Sequence, residues 1–336
     1  MHAELPVGAF VAALLSLAPL PWHWRARNVS TISLIVWLFV MNVIAGVNAI
    51  IWRDSAMIMA TVWCDIATKL QVGATIALPA CCLCICIQLE QIASVRMATM
   101  SIDYKKRRMV FDACMCWLLP MVYMALHYVV QGHRFDIVEV TGCSANLYVS
   151  LPAILLISVP PLVISILMFI YAGLALVHFF KRRLTFGRHL DSSGLTTSRY
   201  FRLMCMSIVE MTVGITISSI DTWSNYQYGM RPWTSWSEVH SNFSQINQFP
   251  WVEIPQTTRN WTLGLWWTVP ISSVIFFAFF SFGEDAVREY RACFMWFRRV
   301  VLRQNSKRDH GGMTVLGSTP SLTRQVFFDS GSSSLI

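Results

Sequence analysis

Residues 29–52 read VSTISLIVWLFVMNVIAGVNAIIW, 24 residues without one charged side chain. As an α-helix rising 1.5 Å per residue, this stretch is ~36 Å long and crosses the ~30 Å hydrocarbon layer of a bilayer. Working outward from it, similar apolar runs occupy residues 5–22, 66–92, 111–130, 147–180, 203–222 and 262–283. The pattern predicts an all-α fold, a bundle of seven transmembrane helices. Composition agrees: 55% of the 336 residues are apolar and only 13% are charged, against about 25% charged in soluble domains. Disordered, collagen-like, coiled-coil and small disulfide-scaffold classes are excluded. The ten Cys are no disulfide framework, because Cys81, Cys82, Cys84 and Cys86 fall inside an apolar run and behave there as small hydrophobes.

The net charge of +8 does not point to nucleic acid, because the basic residues sit between apolar runs. Of the 26 Lys and Arg, 21 fall in alternate loops or in the chain's final segment. By the positive-inside rule these lie in the cytosol, with the N-terminus outside and the C-terminus inside. Seven crossings require opposite ends, so span count and charge bias agree. The first run has its basic residues, Arg25 and Arg27, after the apolar stretch. A signal peptide has the reverse polarity, so a spanning helix is expected. Residues 1–283 then form the membrane domain. In 284–304, Val287, Tyr290, Phe294, Phe297 and Val301 recur at helical spacing beside Arg, which suits a helix lying on the inner membrane surface. Cys293 there is a candidate lipidation site, or simply a buried thiol. Residues 305–336 are rich in Ser and Gly and are expected to be a disordered cytosolic tail.

The nucleotide, protease and hydrolase motifs of soluble enzymes are absent, as are metal-ligand spacings, so no catalytic residue, metal or cofactor is expected. A retinal protein needs a Lys in its last span, and 262–283 has none. Lys69, Glu90 and Glu210 are ionisable residues inside spans. Each is costly in hydrocarbon and hence a candidate for function. Glu210 is either a switch element or a hydrogen-bonded packing residue. A transporter or channel would need a polar path, and the spans carry none. Cys64 and Cys143 both fall on the expected outer, oxidising side; they form a bridge or remain two free thiols. Pro79, Pro120, Pro160, Pro161 and Pro270 lie within spans and favour kinks. The outer loop 223–261 is crowded with Trp, Tyr and Phe, either ordered against the bundle and a ligand or forming an interfacial belt. Asn242-Phe243-Ser244 is a glycosylation acceptor on that side. The inner loops carry a basic rim of Lys181, Arg182, Arg183, Arg199 and Arg202, read as topology and anionic-lipid contact or as a docking face.

Several strings go further: LPWHWRARN at 20–28, WCDI at 63–66, RFDIVEVTGC at 134–143, SRYFRLM at 198–204 and PWTSWSEVH at 232–240. With them the chain resembles the fungal receptors for prenylated mating pheromones, the a-factor receptor family of class D G-protein-coupled receptors, in its mushroom-type form. The resemblance implies a multi-pass plasma-membrane receptor whose partners are a prenylated peptide pheromone, the lipid bilayer and a heterotrimeric G protein. It implies ligand contacts in the outer segments, around Arg134, Phe135, Glu139, Trp233, Trp236 and His240. It implies a G-protein cleft between the third, fifth and sixth spans, against the rim of Lys181, Arg182, Arg183, Arg199 and Arg202. One departure stands out. The family often carries an Arg at the inner end of the third span, where this chain has Gln88 in Cys86-Ile-Gln-Leu-Glu90, which leaves a non-coupling decoy receptor as an alternative.

Overall fold

The structure is a computed structural model that describes residues 3–94, 102–181, 197–227, 229–281 and 295. The described architecture belongs to a unit spanning Met1–Arg291. The expectations for Arg182, Arg183, Cys293, the surface helix 284–304 and the tail 305–336 lie outside the described residues.

Apolar composition and helical spacing become helices throughout. The main helices are α1 (Glu4–Leu17), α2 (Leu20–Arg25), α3 (Val29–Ile51), α4 (Thr61–Ala93), α5 (Ile102–Ala113), α6 (Leu119–His127), α7 (Leu151–Ala153), α8 (Val159–Lys181), α9 (Thr197–Tyr226), α10 (Trp236–Val239) and α11 (Gln256–Ser281). Among the described residues, six helical segments are long and apolar enough to cross a membrane: α3, α4, residues 103–130 built on α5 and α6, residues 151–181 built on α7 and α8, residues 204–226 of α9, and residues 256–280 of α11. The expected first span, 5–22, is divided. Its helix α1 has 14 residues and ends before Ala18-Pro19, and α2 follows. Proline lacks the N–H that would continue the helical ladder, so Pro19 and Pro21 account for the break. Asn28 caps α3, its side-chain oxygen accepting from the Thr31 N–H at 3.3 Å, a common N-terminal device.

Helix α4 is the hub. It packs on α3, α6, α8 and α9, while α1 lies against α3 and α11 and closes the ring. Small residues let the neighbours approach α4: Ala67, Ala74, Ala77, Ala80, Cys81 and Cys84 are all buried. Bulky apolar side chains such as Val7, Leu14, Leu155 and Phe169 point outward, as a lipid solvent allows.

Two span prolines have acquired partners in neighbouring helices. Pro120 follows a π-turn at Cys114–Leu118 and cannot donate to the carbonyl four residues earlier. That carbonyl, of Cys116, instead accepts from the indole N–H of Trp37 on α3 at 3.1 Å. Pro161 follows a second π-turn at Ile154–Ser158 and orphans Ile157 in the same way. The Ile157 carbonyl accepts from the Tyr123 hydroxyl on α6 at 2.6 Å. The prolines thus create interhelical hydrogen bonds.

The expected all-α fold needs one amendment. A three-stranded sheet in the order β2-β1-β3 sits at the end of the bundle where α3 finishes and α4 begins. Strands β1 (Phe135–Val138) and β2 (Gly142–Ser144) form an antiparallel hairpin, and β3 (Ile246–Phe249) runs parallel to β1. Loop sequence becomes sheet here because alternate residues of β1 have a buried face to fill. Phe135 and Ile137 are fully buried with Trp52, Ala56, Cys64 and Cys143. The hairpin turn presses Val140 among Leu5, Ala49 and the Trp residues of α11. Val140 takes φ 77°, a strained value for a β-branched residue, and its N–H donates to the Trp52 carbonyl at 2.8 Å. Gly142 beside it has φ 82° and lies so close to α3 that a Cβ would stand 2.6 Å from the Asn48 Cβ.

Two outcomes follow from this packing. Tyr123→Phe leaves the Ile157 carbonyl without its donor and should cost about 1–3 kcal/mol, read as a lowered melting temperature of the detergent-solubilised protein. Gly142→Ala should unseat the hairpin and remove the protein from the cell surface, measured by labelling of intact cells, with Gly173→Ala, where a Cβ meets nothing within 4 Å, as the tolerated control.

Candidate functional site

The sheet has two faces. One lies on the bundle. The other carries Asp136 and Asn247, paired across β1 and β3, and forms one wall of a cavity of about 860 Å³. Further walls come from Asn146 to Val149 after the hairpin, from Asn225 in the last turn of α9 and Gly229 to Arg231 beyond it, and from Glu238, Ser241 and Asn242 around α10. Polar groups predominate in the lining, with carboxylates on Asp136 and Glu238 and a guanidinium on Arg231, beside the apolar Leu147, Val149, Met230, Val239 and Phe249. This matches a peptide with amides, polar side chains and some apolar ones.

Local hydrogen bonds hold each wall. His133 Nε2 lies 2.6 Å from Asp136 Oδ1 and 3.0 Å from the Asn247 amide nitrogen. The Asn146 side-chain oxygen accepts from the N–H groups of Gly132 and His133 at 3.1 and 3.2 Å. The segment after the hairpin is pinned on both flanks: Tyr148 N–H donates to the Val130 carbonyl at 2.7 Å, and Arg231 N–H donates to the Val149 carbonyl at 2.8 Å. On α10, the Ser235 side chain caps the Glu238 N–H.

Three links anchor the sheet to α4, one of them the Gln71 amide, which donates to the Cys143 carbonyl at 3.1 Å. A disulfide joins Cys64 of α4 to Cys143 of β2, with their Cα atoms 5.4 Å apart. One residue further along α4, Asp65 receives a bidentate pair from Arg134, with Nε at 2.8 Å and Nη2 at 2.5 Å. Asp65 holds the Arg134 guanidinium charged, raising its pKa above the ordinary value. The fork geometry adds direction to the charge attraction.

The segments that the sequence singled out border the cavity, but their named side chains do not line it. Arg134 is engaged by Asp65 and lies over the Phe135 ring. Phe135 is fully buried beneath the sheet. Glu139 accepts from the Trp251 N–H at 2.6 Å. Trp236 stacks on His240 at 4.1 Å, and His240 bridges the Trp236 and Tyr128 carbonyls at 2.9 and 3.0 Å. Trp233 is half-buried. None of the six lines the cavity. They support it, and the residues that face it are their neighbours in sequence. Asn242 is exposed on the cavity rim.

At the opposite end of the bundle Lys181 is exposed at the end of α8, and Arg202 is half-buried in α9. Arg199 and Glu210 fall within α9, with side chains outside the described residues. There α4 and α8 are joined by Glu90 and His178, 3.6 Å apart. Helices α4, α8 and α9 pack on one another.

Sequence reasoning missed the surroundings of Lys69. Its ammonium lies 3.1 Å from His127 Nδ1 and 2.6 Å from Gln131 Oε1. The available signal was the four-residue spacing of His127 and Gln131 at the end of an apolar run.

Charge reversal tests the anchoring. Arg134→Asp should lower the melting temperature by an amount corresponding to roughly 1 kcal/mol, and Asp65→Arg in the same chain should restore most of it, measured as a double-mutant cycle.

Comparison with known proteins gives a consistent result. Residues 4–299 match the STE3 family, described as pheromone A receptor. The chain is 52% identical over 294 residues to the pheromone B beta 1 receptor of Schizophyllum commune, covering 87% of this chain and 54% of that protein. It is 32% identical to pheromone receptor 1 of Mycosarcoma maydis, covering 86% of this chain and 82% of the relative. It is 27% identical to the pheromone a factor receptor of Saccharomyces cerevisiae, covering 84% and 60%. The chain spans about half the length of the Schizophyllum relatives it matches. No solved structure gives a significant match.

Proposed function

We propose a function from one premise: this chain belongs to the STE3 pheromone A receptor family. Its reading is a plasma-membrane receptor that binds a prenylated peptide pheromone outside the cell and activates a heterotrimeric G protein within. In this reading α1 with α2 makes a seventh crossing beside the six long spans, the N-terminus is outside and the C-terminus is cytosolic. The inward bias of Lys and Arg supports that orientation. The sheet and its cavity then face the medium.

The observation that carries the reading is the polar cavity, braced by the disulfide and by the Asp65–Arg134 pair. The peptide part of the ligand occupies it, meeting Asp136, Asn146, Arg231, Glu238 and Asn247. Arg134, Phe135, Glu139, Trp233, Trp236 and His240 act by holding those walls. The prenyl chain, whose burial contributes about 0.8 kcal/mol per CH₂, stays in lipid or in an apolar groove between helices. Asn242 on the rim carries the glycan. Agonist binding favours one bundle arrangement over another, and a cleft opens between α4, α8 and α9. The G protein docks there against Lys181, Arg182, Arg183, Arg199 and Arg202, with Glu210 in α9 as a switch element and Cys293 acylated beneath the membrane. A decoy receptor that binds without coupling is the second reading, and Gln88 at the inner part of α4 is the observation that favours it.

Expression in yeast lacking its own pheromone receptor, with a G-protein-driven reporter, tests both. A panel of synthetic farnesylated, methyl-esterified peptides should activate the reporter, and their unprenylated counterparts should not. Reversing charge at Arg199 and Arg202 should abolish the response with surface expression retained. Saturable peptide binding with no reporter output would select the decoy reading; neither binding nor output would reject both.

A further inference from the structure

Lys69 is a cation in the third turn of α4, and the two groups to which it donates are both neutral. Its i−4 neighbour Asp65 is occupied by Arg134. A half-buried charge in a span is costly, and a Met side chain of similar length would pack at this position at lower cost. The geometry around the ammonium indicates what it does.

His127 and Gln131 are buried, at 2% and 4% exposure, and project from the end of α6 and the turn that follows. His127 Nε2 lies 3.0 Å from the Asn146 carbonyl. That oxygen can only accept, so the proton is on Nε2, and Nδ1 offers its lone pair to an ammonium that can only donate. Gln131 Oε1 accepts from Lys69, and its amide nitrogen donates to the Arg134 carbonyl at 2.6 Å. Each of these four contacts pairs a donor with an acceptor. The two carbonyls reached in this way lie on either side of the β1–β2 hairpin, Arg134 just before β1 and Asn146 just after β2. Asn146 is also a cavity wall and holds Gly132 and His133, which line the cavity beside it.

We propose that Lys69 is a positioning residue that couples the cavity to the bundle, clamping both ends of the hairpin to α4 so that occupancy of the cavity is transmitted to the helix that contacts α3, α6, α8 and α9. The inference rests on the receptor reading and adds the route by which binding reaches the spans. The Cys64–Cys143 bond and the Asp65–Arg134 pair hold the sheet at one point of α4 each. Lys69 grips both hairpin ends at once, through side chains that a shift of Asn146 would re-register.

The test uses the full-length chain in the receptor-deleted reporter yeast and any farnesylated, methyl-esterified peptide from the panel that activates it. Binding is measured on membranes lacking the G protein, and surface density on intact cells. Lys69→Met should lower the maximal reporter response at least about fivefold while peptide affinity stays within about twofold. Lys69→Arg should restore at least half of the response. Lys69→Met combined with Gln131→Leu should be no worse than Lys69→Met alone. In a Lys69→Met chain that reaches the surface, a loss of peptide affinity as large as the loss of response would indicate a structural role and overturn the proposal, as would a wild-type response. Should Lys69→Met fail to reach the surface, Gln131→Leu alone carries the test, with the same loss of maximal response at unchanged affinity expected. A wild-type chain silent to the whole panel would instead reject the receptor reading, and the coupling role with it.

Discussion

A backbone carbonyl without a donor in hydrocarbon costs several kcal/mol, because no water is there to replace the donor. Much of this structure follows from that constraint. Helices satisfy most groups internally, and where proline interrupts the ladder a side chain of a neighbouring helix completes it. Trp37 serves the Cys116 carbonyl and Tyr123 serves that of Ile157. The bundle is therefore cross-linked at its irregular points. A buried clamp of a different kind joins α3 to α11, where Asn42 donates to Ser273 at 2.7 Å.

The same accounting shapes the cap. A loop emerging from the spans has to satisfy its own backbone, and the segment around 134–144 does so by pairing with itself and with residues 246–249. Once the sheet forms, strand alternation divides its side chains. Apolar residues close the top of the bundle, and polar residues face outward into a cavity. The cavity is thus a consequence of sealing the bundle, and its polar character comes from the face of the sheet that the apolar core does not need.

The spans were legible in the sequence because hydropathy over some twenty residues is a strong, local signal. The break in the first was written there too, in Pro19 and Pro21. The sheet was harder. The alternation in Phe135-Asp-Ile-Val138 is visible, yet its parallel partner lies far along the chain, and nothing local specifies which loop will pair. The same gap explains the site. The sequence directed attention to large aromatics and charges, and the fold uses Phe135, Trp236 and Arg134 to support walls whose exposed groups are the plainer residues beside them, such as Asp136, Asn146, Glu238 and Asn247. A one-residue step along a strand changes the face, and that step cannot be read without the register. Lys69 was conspicuous as a charge in a span; its partners were not, because His127 and Gln131 become neighbours only when α4 meets α6.

The central claim is that the peptide part of an activating lipopeptide sits against the outward face of the sheet. Photocrosslinking tests this most directly, with a photoreactive phenylalanine analogue placed at Phe249, which lines the cavity, or at Trp236, which packs beside it on Tyr128. The account predicts that an activating farnesylated peptide is captured at position 249, that an excess of unlabelled peptide blocks the capture, and that position 236 captures little. Capture at 236 but not at 249 would contradict it.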